Sequence, residues 1–217
     1  MARNNPTKVS YRALLVLALV AVGGYALDQI SKALVVRGMI EGESVRVLGD
    51  VLQLHFIRNP GAAFSFATGL TWVFSLIAAG VVVFVVWFAP RIRSSLWAIV
   101  FGLLLGGVLG NLTDRLFREP SFGLGHVVDF IYTPWMMPAI YNIADCCIVV
   151  SMGLFMLLTL RGIGLDGRRT PASDPDAAEP AAAEPAGAAA PAAPTPPAAP
   201  LGSTAPVDGP APLTTSN

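Results

Sequence analysis

The stretch NIADCCIVVSMGLFMLLTL, residues 142–160, decides the fold. Beyond Asp145 it carries no charge, and its length approaches the roughly 20 apolar residues that cross a bilayer as a helix. Asp145 stands near one end. A carboxylate there has lost most of its water, which is costly unless a partner satisfies it or a function uses it.

Three more segments have this character. With the first, the predicted spans are 12–36, 70–89, 95–116 and 139–160. Composition agrees. The 217 residues are 54% hydrophobic and 13% charged, with a mean hydropathy of +0.62. A soluble domain carries about twice that share of charge. The predicted class is an all-α membrane protein of four transmembrane helices with a small extracytoplasmic β-sheet and loop segment. Basic residues precede span one, as in a signal peptide. It lacks a clean small-x-small cleavage site and continues past Asp28, so it is read as retained.

Arg3, Lys8 and Arg12 precede span one, Arg91 and Arg93 separate spans two and three, and Arg161, Arg168 and Arg169 follow span four. An even number of spans puts all three groups on one side, which the basic-residue rule makes cytoplasmic. The opposite side carries Arg37, Arg46, Arg58 and Arg118, accompanied by Glu41, Glu43, Asp50 and Glu119. The predicted layout is a cytoplasmic N-terminus over 1–11, a membrane domain over 12–161 with outer segments 37–69 and 117–138, and a cytoplasmic tail over 162–217. VLQLHF (51–56) alternates as a half-buried strand, with Asn-Pro-Gly turn chemistry after it. The tail's part over 171–217 holds 12 of the 18 prolines and five acidic residues without Lys or Arg. Such a composition builds no core and reads as disordered and dispensable.

The intramembrane polar residues share one depth. At about 1.5 Å rise per residue, Asp145 lies about 24 Å from Arg161, Asp28 about 24 Å from Arg12, and Asn111 about 27 Å from Arg93. Asp114 comes out at about 32 Å. Three spans therefore place amides or carboxylates in one layer under the outer face of a core about 30 Å thick. Asn111, Asp114 and Arg115 fall on one side of a helix, as do Asn142 and Asp145. Asp28 and Lys32 can pair along theirs. Asp129, in GHVVDFIY, reads as a loop carboxylate wedged among apolar residues, able to meet Asp145 if the chain doubles back through TPWMMP.

Each residue has a plainer role to weigh. Asp114 and Arg115 can pair with each other, Asn59 and Asn111 can satisfy loop backbone, and His126 reads as a surface histidine. Cys146 and Cys147 are adjacent, with neither a disulfide framework nor zinc spacing. LLLGGVLGN lies inside a span, so its glycines read as close helix packing. Asp129 and Asp145 resist such accounts, because neither has a Lys or Arg within four residues. Two carboxylates within reach share a proton: one draws a proton from water while the other holds a carbonyl oxygen. That is aspartic-protease chemistry. The serines lack a Gly-x-Ser-x-Gly setting, and there is no His-Glu-x-x-His. A proton pathway or transporter is disfavoured, since such sites sit near the midplane and come with repeats. A non-catalytic subunit that binds a partner helix remains a further reading.

DQISK (28–32), RNPGAAFS (58–65), GNLTDR (110–115), HVVDF (126–130) and NIAD (142–145) resemble, in order and spacing, the motifs of the bacterial lipoprotein signal peptidases, also called signal peptidase II. The resemblance covers roughly 12–160. It implies a membrane aspartyl endopeptidase that cuts prolipoproteins before a cysteine carrying diacylglycerol, with Asp129 and Asp145 as the catalytic pair. It implies that Asn59, Asn111, Asp114, Arg115, Asn142 and Asp28 line or support the substrate site. It also implies membrane lipid around the enzyme, inhibition by the cyclic peptide globomycin, and a bacterial inner-membrane location. No metal, cofactor or nucleic-acid partner is expected.

Overall fold

A computed structural model describes residues 9–61 and 71–169. The four predicted spans are helices: α1 Tyr11–Gly38, α2 Thr71–Phe88, α3 Ser95–Phe117 and α4 Ile143–Leu160. All four are long and apolar enough to cross a membrane. A 3₁₀ turn, Ala89–Arg91, extends α2.

α3 is the hub. Buried positions make up 67% of its apolar window, against 17–28% for the other three, and α1, α2 and α4 all pack on it. Glycine makes this possible. A Cβ on Gly106 would lie 2.6 Å from the Ala21 carbonyl oxygen, and one on Gly107 would lie 2.5 Å from that of Ala144. Neither helix could come so close to a residue with a side chain, as the reading of LLLGGVLGN predicts. Away from the polar residues the bundle is apolar, built on Ala13, Leu17, Val85, Ile92, Ala98 and Leu105.

The remaining chain forms a four-stranded antiparallel sheet in the order β1-β2-β3-β4: Ser44–Leu48, Leu52–Asn59, Val127–Tyr132 and Ile140–Tyr141. The first two strands come from the segment between the first two spans, as expected. The third corrects an expectation, for VVDFIY is a strand and not a loop. Its first four residues are buried, so both faces are covered and no alternation shows in the sequence. Phe56, Val128 and Phe130 pack against Val35 of α1 and Ile143 of α4. The sheet is thereby seated on the end of the bundle.

Two boundaries also move. α4 starts at Ile143 and not at 139, because Ile140 and Tyr141 pair with Tyr132 and Ile131 in the sheet. Residues 162–169, expected to begin the tail, fold back instead. The Leu165 carbonyl accepts the backbone N–H groups of Arg93 and Ser94, and Ile163 bridges to Arg169. These N–H groups precede α3 and have no intrahelical acceptor, so the returning loop satisfies them. Residues 1–8, the segment from Ala62 to Leu70 that continues RNPGAAFS, and the tail from Thr170 lie outside the described residues.

Candidate functional site

The polar residues converge where the sheet meets the bundle. Three elements carry the centre: β3 presents Asp129, α3 presents Asn111, and the start of α4 presents Asn142 and Asp145.

The local reason for Asp145 is a cap. Asn142 is the N-cap of α4: its Oδ1 accepts the Asp145 N–H at 3.0 Å, and Asp145 Oδ2 accepts the Asn142 N–H at 3.1 Å. This reciprocal pair satisfies two otherwise orphaned donors. Asp145 therefore has a plain structural role that the sequence reading missed. The signal was present, an Asn three residues before an Asp, but starting the helix at 139 hid it. The other oxygen, Oδ1, accepts from Asn111 Nδ2 at 2.8 Å.

Asp129 is held from both sides. Its Oδ2 accepts from Asn59 Nδ2 at 2.8 Å and its Oδ1 from Asn142 Nδ2 at 2.6 Å. Register explains the first contact. Ile57 pairs with Asp129 and Asn59 with Val127, so Asn59 is the diagonal neighbour on the same face. Asn59 Oδ1 also accepts the Gly61 N–H at 2.9 Å, the loop-bracing role expected of it.

The two aspartates are joined by two amides. Asn142 Nδ2 donates to Asp129 and, at 3.1 Å, to Asn111 Oδ1, while Asn111 Nδ2 donates to Asp145. Lys32 sets the direction of this chain. Its ammonium can only donate, and it donates to Asn111 Oδ1 at 3.0 Å. The Asn111 amide must then turn its NH₂ toward Asp145.

Lys32 is itself fully buried, 2.8 Å from Asp28 Oδ2 and 2.8 Å from Asp114 Oδ2. Asp28 Oδ1 accepts the Ala144 N–H at the first turn of α4, and Asp114 Oδ2 accepts the Val128 N–H in β3. Both carboxylates have zero exposure, so they support the site from beneath and present nothing to a bound chain. The expected Asp114–Arg115 pairing is not formed. Asp114 pairs instead with Arg118, one turn on, at 2.5 Å. Gln29, which the sequence reading passed over, ties Asp28, the Gly110 carbonyl and Asp114 together.

Arg115 turns the other way. It donates to the Asn111 carbonyl at 3.3 Å and lies within electrostatic reach of Asp145 and Asp129. Its Nε is buried and has no partner among the described residues.

Burial pushes the Asp129 carboxyl up to about 6, and the nearby Asp145 charge adds to this; the amides of Asn59 and Asn142 and the charge of Lys32 oppose it. Asp145 is half-buried and opens on a cavity of about 290 Å³ lined by Met136, Met137, Tyr141, Cys146, Val149 and Val150. No group of three His, Cys, Asp or Glu with metal-binding placement occurs among the described residues.

A family model described as signal peptidase (SPase) II matches residues 20–161. The lipoprotein signal peptidase of Leifsonia xyli is 66% identical over 163 residues, 75% of each chain. That of Rhodococcus jostii is 44% identical over 164 residues, 76% of this chain and 82% of the relative. A solved bacterial membrane enzyme, determined by the in meso method at 1.9 Å, superposes with a TM-score of 0.58 at 26% identity, covering 72% of this chain and 99% of that one. The four spanning helices and these relatives identify a multi-pass bacterial membrane protein.

Proposed function

The chain belongs to the signal peptidase II family, whose members remove signal peptides from prolipoproteins, and we propose that it does so with Asp129 and Asp145, cutting before a cysteine that carries diacylglycerol. The observation that carries this reading is the amide-linked pair of aspartates. Asn142 and Asn111 hold the two carboxylates at fixed positions without neutralising either, and each aspartate keeps lone pairs free for water or substrate.

In the proposed reaction the ionised aspartate takes a proton from a water held between the pair, and the water oxygen attacks the scissile carbonyl carbon. The protonated aspartate donates a hydrogen bond to the carbonyl oxygen as it becomes an oxyanion. When the tetrahedral intermediate collapses, the C–N bond breaks and a proton passes to the leaving nitrogen. We assign the resting proton to Asp129, whose carboxyl burial pushes up to about 6; substrate that excludes water would push it in the same direction. The buried Nε of Arg115 is a ready donor for a substrate carbonyl.

The cavity beside Asp145 suits the lipid on the substrate's cysteine, since only Asp145 among its lining residues is charged. We place this site near the outer leaflet and both termini in the cytoplasm, from the distribution of basic residues. Globomycin-type peptides would compete for the same space.

The test is cleavage of a synthetic lipobox peptide by the purified protein, with and without diacylglycerol on its cysteine. The lipidated peptide alone should be cut, and Asp129→Asn or Asp145→Asn should each lower kcat by at least about a thousandfold with the fold retained. Appreciable turnover by either variant would remove the aspartates from the chemistry.

A further inference from the structure

At the end of the bundle away from the aspartates, α2, α3 and α4 do not close on one another. They leave an apolar crevice of about 660 Å³, lined among others by Phe84, Phe88, Trp97, Phe101, Phe155 and Leu165. Its floor is α3. Its end is stopped by the returning loop 162–169, which is fixed by three hydrogen bonds: Arg93 and Ser94 N–H to the Leu165 carbonyl, and the Trp97 indole N–H to the Ile163 carbonyl at 3.0 Å.

The same loop assembles charge at the mouth. Arg168 and Arg169 belong to it, Arg161 caps the end of α4 just before it, and Arg91 and Arg93 precede the start of α3. Arg169 Nε donates to the Arg161 carbonyl at 3.1 Å, and the Arg91 guanidinium lies 3.9 Å over the Trp87 ring. Against five arginines these segments hold one acid, Asp166, which is 3.9 Å from Arg168. Arginines beside membrane spans are ordinary topology signals. What goes beyond topology is that Arg91 lies 5.7 Å from the ring of Phe88 and Arg161 adjoins Gly162, both residues of a crevice sized for hydrocarbon whose end loop is held in place by hydrogen bonds.

We propose that this crevice binds one phospholipid with an anionic headgroup, its acyl chain between α2 and α4 and its phosphate against the arginines at the mouth. Each half of the ligand has its counterpart: aromatic and aliphatic side chains line the crevice for the chain, and Arg91, whose guanidinium is 5.7 Å from the lining Phe88 ring, and Arg161, next to the lining Gly162, stand beside it for the phosphate. The bound lipid would fill the gap that α2 leaves beside α4 and so fix α2 against the hub. Its assignment to the cytoplasmic leaflet rests on the orientation proposed above; the binding itself does not.

Trp97 lines the crevice and reports on it directly. The full chain carrying Trp72→Phe, Trp87→Phe and Trp135→Phe retains this one indole. Reconstituted in vesicles with phosphatidylglycerol brominated along its acyl chain, it should be quenched more than with brominated phosphatidylcholine at equal mole fraction. Arg91→Gln with Arg161→Gln should cut that preference by at least about fivefold, the effect of one arginine near an anionic headgroup. Thr159→Phe, at the exposed rim of the crevice, should reduce quenching by both lipids without unfolding the protein. Equal quenching by the two lipids, or a preference that survives the arginine changes, would overturn the proposal. So would loss of quenching on adding a lipobox signal peptide, which would give the crevice to the substrate's own helix. Peptide cleavage by the same variants is a separate readout, so failure here leaves the aspartate reading untouched.

Discussion

Asn142 does two jobs with one side chain, and they can be separated. Its oxygen caps α4, and its NH₂ bridges Asp129 to Asn111. Serine can cap but cannot bridge. Asn142→Ser should therefore keep the unfolding temperature within a few degrees of the parent while cleavage falls at least about a hundredfold. Asn142→Ala should lose the cap too, costing about 1 kcal/mol more. Thermal unfolding in detergent and peptide cleavage, run on both variants, check this. Asp129 gives a second prediction. Its folded pKa of about 6 lies above the ordinary 3.8, so between these values the folded state keeps a proton that the unfolded chain has released. Stability conferred by Asp129 is then greatest on the acid side, declines as pH rises from about 4 to 6, and is constant above that, by at most about 3 kcal/mol. Asp129→Asn should flatten that decline, measured as the difference in unfolding midpoint between the two proteins across the window.

At the scale of elements, the α3 seam decides whether the site assembles at all. Gly107 faces the Ala144 carbonyl, one residue from Asp145, and Gly110 faces Asp28. Gly107→Val should force α4 off α3, cost about 1–3 kcal/mol, and pull Asp145 away from Asn111. Gly153→Ala, on the open side of α4 with nothing within 4 Å, should leave cleavage unchanged and raise stability by up to about 1 kcal/mol through helix propensity alone. The contrast between the two, measured by unfolding and turnover, isolates close approach from helix propensity. Much of this architecture was legible beforehand. Spans longer than the bilayer core must be helices, and the small residues of LLLGGVLGN must face a neighbour. What escaped was whatever depends on partners distant in the chain. VVDFIY is buried on both faces and shows no strand period. Ile140 and Tyr141 read as helix because they are apolar, and only pairing with β3 makes them a strand. The site residues themselves stood out as polar groups at one depth, but the partner that Asp114 chose, Lys32 over its neighbour Arg115, was set by how the helices pack.

At the scale of the whole molecule, the family match and all the site residues lie within residues 20–161, and the returning loop ends the described chain at Arg169. A protein truncated after Arg169 should cleave the lipidated peptide at the full-length rate, within about twofold; a larger loss would assign a role to the Ala/Pro-rich tail. The wider consequence concerns charge. The layer that joins sheet and bundle contains four carboxylates, Asp28, Asp114, Asp129 and Asp145, and three cations, Lys32, Arg115 and Arg118. One proton makes that layer electroneutral. For the proposed chemistry this means that the state with a single shared proton is also the state that leaves no net charge in a low-dielectric slab. Of the three cations Lys32 is the one that acts on Asp129, holding its carboxyl down against burial, so a residue that is neither acid nor base in the reaction biases the proton on the pair.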